Sequence, residues 1–305
     1  MYERATLMFL YANSPVHFGA GVSLGAVDLP VQRERHTGYP MAQGSGLKGA
    51  LRHHVERANG AGRDRVKWVF GPDGGEARDH AGAVAFGDGR LLLFPVRSLT
   101  GTFAYCTSTV ALSRLRRDLE LAAVDAPWQA PADPKGRCLV APDSKVASGG
   151  KVVVEDFDVV AASSAEVGAI ARWIAERALP SSPGFQHFRD RVATHLAVLH
   201  DDLFKHLTQL ATVVEPHVKI DDETGNAAGT AFFYAEHLPP DSLLWSLVGI
   251  ARPHAPRQAL AEVSELGLAA ADDVERFLRR QLDDKAVQAG AEATTGRGLM
   301  HVRFV

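Results

Sequence analysis

The 305-residue chain contains only two cysteines, Cys106 and Cys138, and no Cys-x-x-Cys pair. Two thiols are too few for a disulfide framework, and structural zinc sites usually draw on such pairs. No apolar run reaches the roughly 18 residues that a membrane-spanning helix needs. The first residues, MYERATLMFLYANSP, also lack the small-residue cleavage site of a signal peptide. These absences predict a protein of the reducing cytoplasm that has no membrane partner.

Several common catalytic and ligand-binding motifs are missing as well. The segment GSGLKGA lacks the Gly-x-x-x-x-Gly-Lys-Ser/Thr spacing of a nucleotide-binding loop. His-Glu-x-x-His and a calcium-binding EF-hand loop do not occur. His195, His200 and His206 lie five and six residues apart, so one helix face does not hold all three. They are interpreted as solvated helix residues and not as a metal site.

Charge is unevenly distributed along the chain, whose formal net charge is -3. Residues 1–117 contain 15 Lys and Arg against 9 Asp and Glu, whereas residues 118–305 contain 18 against 27. A polyanion is therefore expected to bind the first part. The acidic remainder is interpreted first as solvated helix faces, and contacts with basic surfaces of neighbouring subunits are the alternative.

Hydrophobic periodicity predicts strands and helices that follow one another along the chain. The turn Gly87-Asp88-Gly89 predicts that two of the strands form a hairpin. Residues 126–150 are dense in proline and glycine and are interpreted as an insertion. The predicted strands are 4–12, 83–86, 90–96, 151–160, 211–220, 229–238, 242–251 and 299–305, and the predicted helices are 44–58, 113–124, 164–179, parts of 185–211 and 271–282.

This order predicts an α+β architecture and not a doubly wound parallel sheet. A ferredoxin-type core can be threaded through the pattern if residues 120–230 are largely insertions. Chain length alone suggests about two domains, or one elaborated domain.

Residues 44–52 are the clearest candidate for binding an anion. Gly44, Ser45 and Gly46 allow backbone N–H groups at a helix start to approach a phosphate, with Ser45 as the expected N-cap. Lys48 and Arg52 are four residues apart and share one helix face. A glycine-containing cap followed by two solvated cations explains the same residues equally well.

Three other positions carry weaker signals. Gly296, Arg297 and Gly298 form either a phosphate-binding turn or a tight turn before the last strand. Asp28 lies in the glycine-rich loop LGAVDLP, where a carboxylate usually stabilises a turn. His17 is by itself interpreted as an ordinary surface or hydrogen-bonded histidine.

Four stretches together resemble the repeated backbone subunit of the type III-B (Cmr) CRISPR effector complex, a member of the RAMP superfamily. The resemblance covers essentially the whole chain. The stretches are HFGAGVSLGAVDLPVQRERHTGYPMAQGSGLKGALR (17–52), FGDGRLLLFPVRSLTGTFAYCTS (86–108), VKIDDETGNAAGTAFFYAEHLPPDSLL (218–244) and GRGLMHVRF (296–304).

The resemblance implies a fold and an assembly. The expected fold is a single elaborated RAMP domain over residues 1–305, with an RRM-like (ferredoxin-type) core at 1–117 and 240–305. Large insertions and a protruding thumb hairpin are expected within 118–239. Several copies would stack along a guide crRNA with other Cmr subunits, and the thumbs would push out nucleotides of guide and target at regular intervals.

The resemblance also implies residue roles. Lys48 and the Gly44–Arg52 segment would hold the crRNA backbone, and the Gly296–Gly298 turn would lie against it. Asp28 would be the cleavage residue of a metal-dependent endoribonuclease acting on target RNA. Because an aspartate of ordinary pKa is a weak general base, Asp28 is expected to help hold Mg2+ or Mn2+, or to orient the attacking 2′-hydroxyl. Helper roles for His17, Arg33 and Arg35 are hypotheses.

One departure from the family pattern matters. Family members often read Glu-Glu-Tyr before Leu-Pro-Pro, whereas this chain has Ala235, Glu236 and His237. Three alternatives stay open: a binding-only backbone that has lost cleavage, a type III-A backbone subunit, and a RAMP endonuclease that processes precursor crRNA.

Overall fold

The computed structural model describes residues 2–58, 62–72, 80–221 and 223–305; at residues 219 and 227–231 it describes only the backbone. In these residues the helices are α1 (Gly44–Arg57), α2 (Arg63–Phe70), α3 (Thr109–Leu121), α4 (Ala165–Arg177), α5 (Gln186–His195), α6 (Asp201–Leu210), α7 (Leu260–Glu265) and α8 (Ala271–Leu282). The strands are β1 (Arg4–Ala12), β2 (Met41–Ala42), β3 (Val84–Phe86), β4 (Gly89–Arg97), β5 (Phe103–Ser108), β6 (Arg137–Val140), β7 (Ala147–Ser148), β8 (Lys151–Val154), β9 (Phe157–Ser163), β10 (Leu196–Leu199), β11 (Val213–Ile220), β12 (Ala227–His237), β13 (Leu243–Ile250), β14 (Lys285–Gln288) and β15 (Leu299–Phe304).

One large mixed sheet organises the chain. Its strand order is β14-β15-β1-β13-β4-β5-β10-β6-β9-β8-β7, with β2 beside β4 and β3 beside β13. Strand β1 lies between β13 and β15 and is antiparallel to both. The first strand of the sequence therefore depends on the last 65 or so residues for its partners, which predicts that the two ends of the chain fold together.

Both faces of β1 are buried, and this explains its continuous apolar sequence. Met8 and Leu10 belong to a cluster that includes Leu47 and Leu51 of α1 and Leu278 of α8. The alternating residues Leu7, Phe9 and Tyr11 face a second cluster that includes residues of α3 and α4. A strand that is covered on both faces needs no alternating polar positions. The run RATLMFLYA is accordingly apolar from Leu7 onward.

The predicted hairpin at Gly87-Asp88-Gly89 is wrong. Strands β3 and β4 both pair antiparallel with β13, β3 at Val248–Ile250 and β4 at Leu243–Trp245. They are consecutive parts of one interrupted strand and do not face each other. The Gly-Asp-Gly signal marks the interruption, where Gly87 N donates to Leu247 O at 2.9 Å.

The region between α3 and β11 contains two further differences from the prediction. Residues 151–160 are not one strand but the hairpin of β8 and β9, which turns at Glu155 with a positive φ of 47°. Within the segment predicted as helical, Leu196–Leu199 form β10, a buried strand between β5 and β6. These four apolar residues follow a helix directly, so helical periodicity alone did not separate them.

Residues 213–220 and 227–237 are strands, as their alternation predicted, and they pair as a separate two-stranded hairpin. Paired residues of antiparallel strands share a face, so Pro216, Val218, Phe232 and Tyr234 lie on one face together with Glu236. Val218 and Phe232 are about half exposed on this face. His217, Phe233 and His237 lie on the opposite face.

The predicted α+β class is confirmed. The RRM-like order of the core, the thumb identity of a hairpin and the division into core and insertions stay predictions. No helix among the described residues is long and apolar enough to cross a membrane.

Candidate functional site

The glycine-rich loop that carries Asp28 folds back on itself and lies along the hairpin. Ala20 N donates to Pro30 O at 2.9 Å, and Gln32 N donates to Phe18 O at 2.7 Å. Next to Asp28, Leu29 N donates to Tyr234 O at 3.0 Å, and Leu29 O accepts from Glu236 N at 2.9 Å. The loop is thus fixed to the edge of β12 by main-chain hydrogen bonds.

Asp28 is placed at this edge with one oxygen available. Its Oδ2 accepts a hydrogen bond from Tyr234 N at 2.8 Å, and its carbonyl accepts from Ser23 N at 2.8 Å. Its Oδ1 accepts no hydrogen bond from the described residues. The carboxylate is therefore oriented by one oxygen while the other can meet a ligand, a metal ion or a hydroxyl group.

Glu236 fixes the far side of the same loop. Its carboxylate accepts from Val31 N at 2.9 Å, Arg33 Nη2 at 2.5 Å and Thr212 Oγ1 at 2.9 Å, and the residue is only 5% exposed. Three donors satisfy the hydrogen-bonding needs of this buried carboxylate. Glu236 therefore holds the loop against the hairpin, a role that sequence reasoning left open.

His17 is buried, not a surface residue, and it lies beside the same strand edge. Its Nδ1 is 2.6 Å from Glu236 O, and the residue is 5% exposed. Because a carbonyl only accepts, Nδ1 carries the proton, and in the neutral ring Nε2 holds the lone pair. A Cβ at Gly19 would lie 2.6 Å from this Nε2, so the glycine is required for the loop to pass the imidazole.

The Gly296–Gly298 turn lies next to His17. Gly298 N donates to Pro15 O at 2.8 Å, and Ala291 N donates to His17 O at 2.9 Å. Gly298 has a φ of 77°, and a Cβ there would lie 2.3 Å from Ala289 O. Arg297 of this turn is ion-paired with Glu215 of β11. The structure thus brings the turn, His17 and the base of the hairpin together.

The start of α1 differs from its prediction. The N-cap is Gln43 and makes no side-chain cap, and the predicted cap Ser45 is an exposed helical residue. Instead, Asp88 Oδ1 accepts from Gly44 N at 2.8 Å. A Cβ at Gly44 would lie 2.3 Å from Phe86 O, so this glycine is needed for close packing against the β3–β4 interruption. Gly46 has open space around it.

The two cations of α1 make contacts within the chain. Lys48 Nζ donates to Val84 O at 3.1 Å, and burial, aided by the charge of Arg52, lowers the pKa of its amine. Arg52 pairs with Glu56 and also donates to Gly71 O at 3.0 Å. Both side chains remain partly exposed on one side of the helix, where a phosphate can reach them.

Gln32 connects the helix start to the Asp28 loop, and no sequence signal pointed to it. Its Oε1 accepts from Gln43 N at 3.0 Å, and its Nε2 donates to Gly19 O at 2.9 Å. One amide side chain therefore spans the two predicted functional regions.

The family model for the RAMP superfamily matches residues 9–301. The chain belongs to the RAMP superfamily. The CRISPR system Cmr endoribonuclease Cmr4 of Pyrococcus furiosus is 32% identical to this RAMP protein over 300 residues, 98% of this chain and 95% of the relative. The predicted resemblance to the type III-B backbone subunit is confirmed by this match.

Solved structures agree with the match. The crystal structure of oligomeric Cmr4 from Pyrococcus furiosus has a TM-score of 0.73 at 27% identity and covers 99% of this chain and 97% of that one. A chain of type III-B Cmr-beta, solved by cryo-electron microscopy with cognate target RNA, has a TM-score of 0.70 at 18% identity, with 99% and 98% covered. At that identity the likeness shows the shared fold alone.

The described residues of this RAMP protein do not form a metal centre by themselves. None of their His, Cys, Asp and Glu side chains come together as a group of three or more that could hold an ion. Mg2+ is often held by one or two carboxylates together with substrate phosphates and water. Asp28 fits that kind of site, in which RNA supplies most of the ligands.

Proposed function

We propose that this RAMP protein is the crRNA-binding backbone subunit of a type III-B complex and that it cleaves guide-complementary target RNA at regular intervals. The observation that carries the proposal is the 32% identity, over 98% of the chain, to a protein named as a Cmr endoribonuclease. Other copies of the chain and other Cmr subunits are its proposed partners, and its proposed location is the cytoplasm. Both cysteines are free thiols, as a reducing compartment requires.

Asp28 is the proposed cleavage residue. RNA is cut when its 2′-oxygen forms a bond to the adjacent phosphorus and the bond from phosphorus to the 5′-oxygen breaks, with these three atoms in line. The 2′-hydroxyl loses its proton and the leaving 5′-oxygen gains one. The open Oδ1 of Asp28 can hold and orient the attacking hydroxyl, while the hydrogen bond from Tyr234 N fixes the carboxylate. His17 has a supporting role in this proposal, because it is only 5% exposed and its Nδ1 is hydrogen-bonded to Glu236 O of the hairpin.

A divalent cation, Mg2+ or Mn2+, is part of the proposal. When bound, such an ion supplies positive charge to the phosphate oxygens at which negative charge develops. Asp28 is the residue of this chain that would hold it, and RNA phosphates and water would supply the other ligands.

The hairpin of β11 and β12 is the proposed thumb. The face that carries Glu236 at the base of the hairpin exposes Val218, Phe232 and Tyr234 to solvent further along. Phe232 and Tyr234 pack edge to face. Apolar and aromatic surfaces of this kind can support an unstacked base. Because Asp28 is hydrogen-bonded to Tyr234, a nucleotide displaced by the hairpin would lie beside the carboxylate.

The proposed guide-binding surface combines two regions. The helix start at Gly44, Ser45, Gly46, Lys48 and Arg52 would contact the crRNA backbone, and the turn Gly296-Arg297-Gly298 would lie against it. These regions are joined through Gln32 and the Asp28 loop, so guide and cleavage site would share one support.

The decisive experiment is target cleavage by the guide-loaded complex, with wild type, Asp28→Asn and Asp28→Ala each assayed in Mg2+ and in EDTA. Asp28→Asn keeps an oxygen that accepts from Tyr234 N, so it preserves the loop and removes the charge. We expect regularly spaced cuts by wild type in Mg2+, their loss by a factor of about 100 or more in both variants, and unchanged target binding.

The outcomes separate the rival functions. Cuts that persist in both variants would place catalysis elsewhere, and the absence of cuts in wild type would leave a binding-only backbone. Sedimentation with guides of different length separates a backbone from a processing endonuclease, because only a backbone assembles to a size set by the guide. The subunits that copurify distinguish type III-B from type III-A.

A further inference from the structure

One hydrogen bond and one ion pair join the base of the hairpin to the glycine-rich loop at 289–298. His237 Nε2 of β12 lies 2.8 Å from Glu292 Oε2, and Arg297 is paired with Glu215 of β11. The loop thus contributes one acid and one base, and the hairpin contributes the complementary base and acid. We call these four residues the clamp.

One residue of the clamp is fully buried, and another has a left-handed backbone conformation. His237 is fully buried, and Glu292 adopts a left-handed φ of 62°. Among the described residues, His237 Nδ1 and Arg297 Nε are buried nitrogens without a hydrogen-bond partner. Such a conformation and such nitrogens each cost free energy, and they are retained mainly where function requires the arrangement.

Glu236, on the opposite face of the same strand, contacts the Asp28 loop, which lies along the edge of that strand. Successive strand residues point to opposite faces, so Glu236 accepts from Val31 and Arg33 of that loop while its neighbour His237 reaches Glu292. The hairpin base is therefore the element that touches both loops. His17 links them a second time, because its ring contacts Glu236 O and its carbonyl accepts from Ala291 N.

We propose that Glu215 and His237 are positioning residues that couple occupation of the Gly296–Gly298 loop by guide RNA to the placement of Asp28. This inference rests on the proposed function, since it takes guide RNA as the ligand of the loop. Guide phosphates that fix the loop would fix the hairpin base through the clamp, and the hairpin base would fix the Asp28 loop through Glu236.

The first test measures hydrogen exchange in a peptide that covers residues 18–32, with and without a single-stranded guide RNA. Its amides at Ala20, Ser23, Leu29 and Val31 are hydrogen-bonded and report on the order of the loop. In wild type, guide RNA should slow their exchange. Glu215→Gln should abolish most of this slowing, whereas Glu120→Gln, an exposed matched control on α3, should retain it.

The second test separates guide affinity from cleavage. Glu215→Gln removes the ion pair that joins Arg297 to the hairpin and keeps Arg297 itself, so guide affinity should stay equal, while the single-turnover cleavage rate should fall about tenfold through misplacement of Asp28. The charge-swapped pair Glu215→Arg with Arg297→Glu should restore the cleavage rate but not the guide affinity. A residue with a purely structural role would not produce that split.

The outcomes are distinguishable from those of the proposed function. If wild type cleaves and Glu215→Gln cleaves at the same rate with the same guide-induced protection, the coupling is overturned and the proposed function stands. If wild type binds guide but does not cleave, the exchange experiment still decides the coupling. If no guide RNA binds, both the coupling and the proposed function are overturned.

Discussion

At the scale of single residues, the adjacent residues Glu236 and His237 bind two different loops from opposite faces of β12. Glu236 satisfies three donors from the Asp28 loop and the start of β11, and His237 pairs with Glu292 on the other face. Neither partner could be found from sequence, because they lie more than 50 and 200 residues away.

Glu292 predicts a specific pH dependence of stability. Burial opposes its ionisation, but the hydrogen bond from His237 and the charges of His237, His217 and His17 together lower its pKa below the ordinary 4.5. A lowered pKa means that folding favours the ionised form, so the contribution is complete above pH 4.5 and is lost as pH falls through the lowered value.

Glu292→Gln should therefore destabilise the protein near neutral pH and have a shrinking effect as the solution is acidified towards about pH 4. Urea unfolding of both proteins across this range measures the difference in the free energy of unfolding. Glu120→Gln, with an exposed carboxylate, serves as the control. A difference that grows on acidification would contradict the assigned pairing.

At the scale of elements, local patterns predicted most strands and helices but not their partners. The strands β1, β11 and β12 and the helices α1, α4 and α8 follow from periodicity. The hairpin predicted at Gly87-Asp88-Gly89 is wrong because a turn signal does not identify the partner of a strand. The two flanking strands, β3 and β4, both pair with β13. Strand β10 was missed because its burial depends on β5 and β6, which lie far away in sequence.

The candidate site shows the same limit. The helix start at 44–52 was a candidate from its glycines and cations, whereas Asp28, His17 and the Gly296–Gly298 turn received their roles only through the family resemblance. The structure adds what lies between them: Gln32, Glu236 and the clamp. These residues act through long-range hydrogen bonds and ion pairs, which leave no periodic signal in one sequence.

Helix α1 provides a matched prediction with two glycines. A Cβ at Gly44 would lie 2.3 Å from Phe86 O, whereas a Cβ at Gly49 meets nothing within 4 Å. Gly44→Ala should lower the free energy of unfolding by about 1–3 kcal/mol through overpacking. Gly49→Ala should raise it by up to about 1 kcal/mol, because alanine is the better helix former.

Chemical denaturation of the RNA-free protein measures both glycine variants. Equal effects of the two substitutions would show that α1 does not pack against the β3–β4 interruption as described. Since Gly49 is not among the proposed RNA-binding residues, Gly49→Ala should leave guide binding unchanged.

At the scale of the whole molecule, charge is divided between a basic first part and an acidic remainder, so the net charge of -3 says little about RNA binding. Single-stranded RNA binding weakens with salt, and the slope of log K against log salt is about -0.7 for each phosphate contact. Guide binding should therefore weaken steeply with salt although the protein is acidic overall.

Substitution of Lys48 tests whether the salt dependence of guide binding arises in part at helix α1. Its amine has three N–H donors and uses one for Val84 O at 3.1 Å, which leaves two for a phosphate. Lys48→Gln should weaken guide binding for all guide sequences alike and reduce the magnitude of the salt slope by about 0.7. Lys151→Gln is the matched control, since Lys151 is exposed on β8 and paired with Asp158 at 2.6 Å. Filter binding at several salt concentrations measures both slopes, and equal slopes for the two variants would remove α1 from the guide-binding surface.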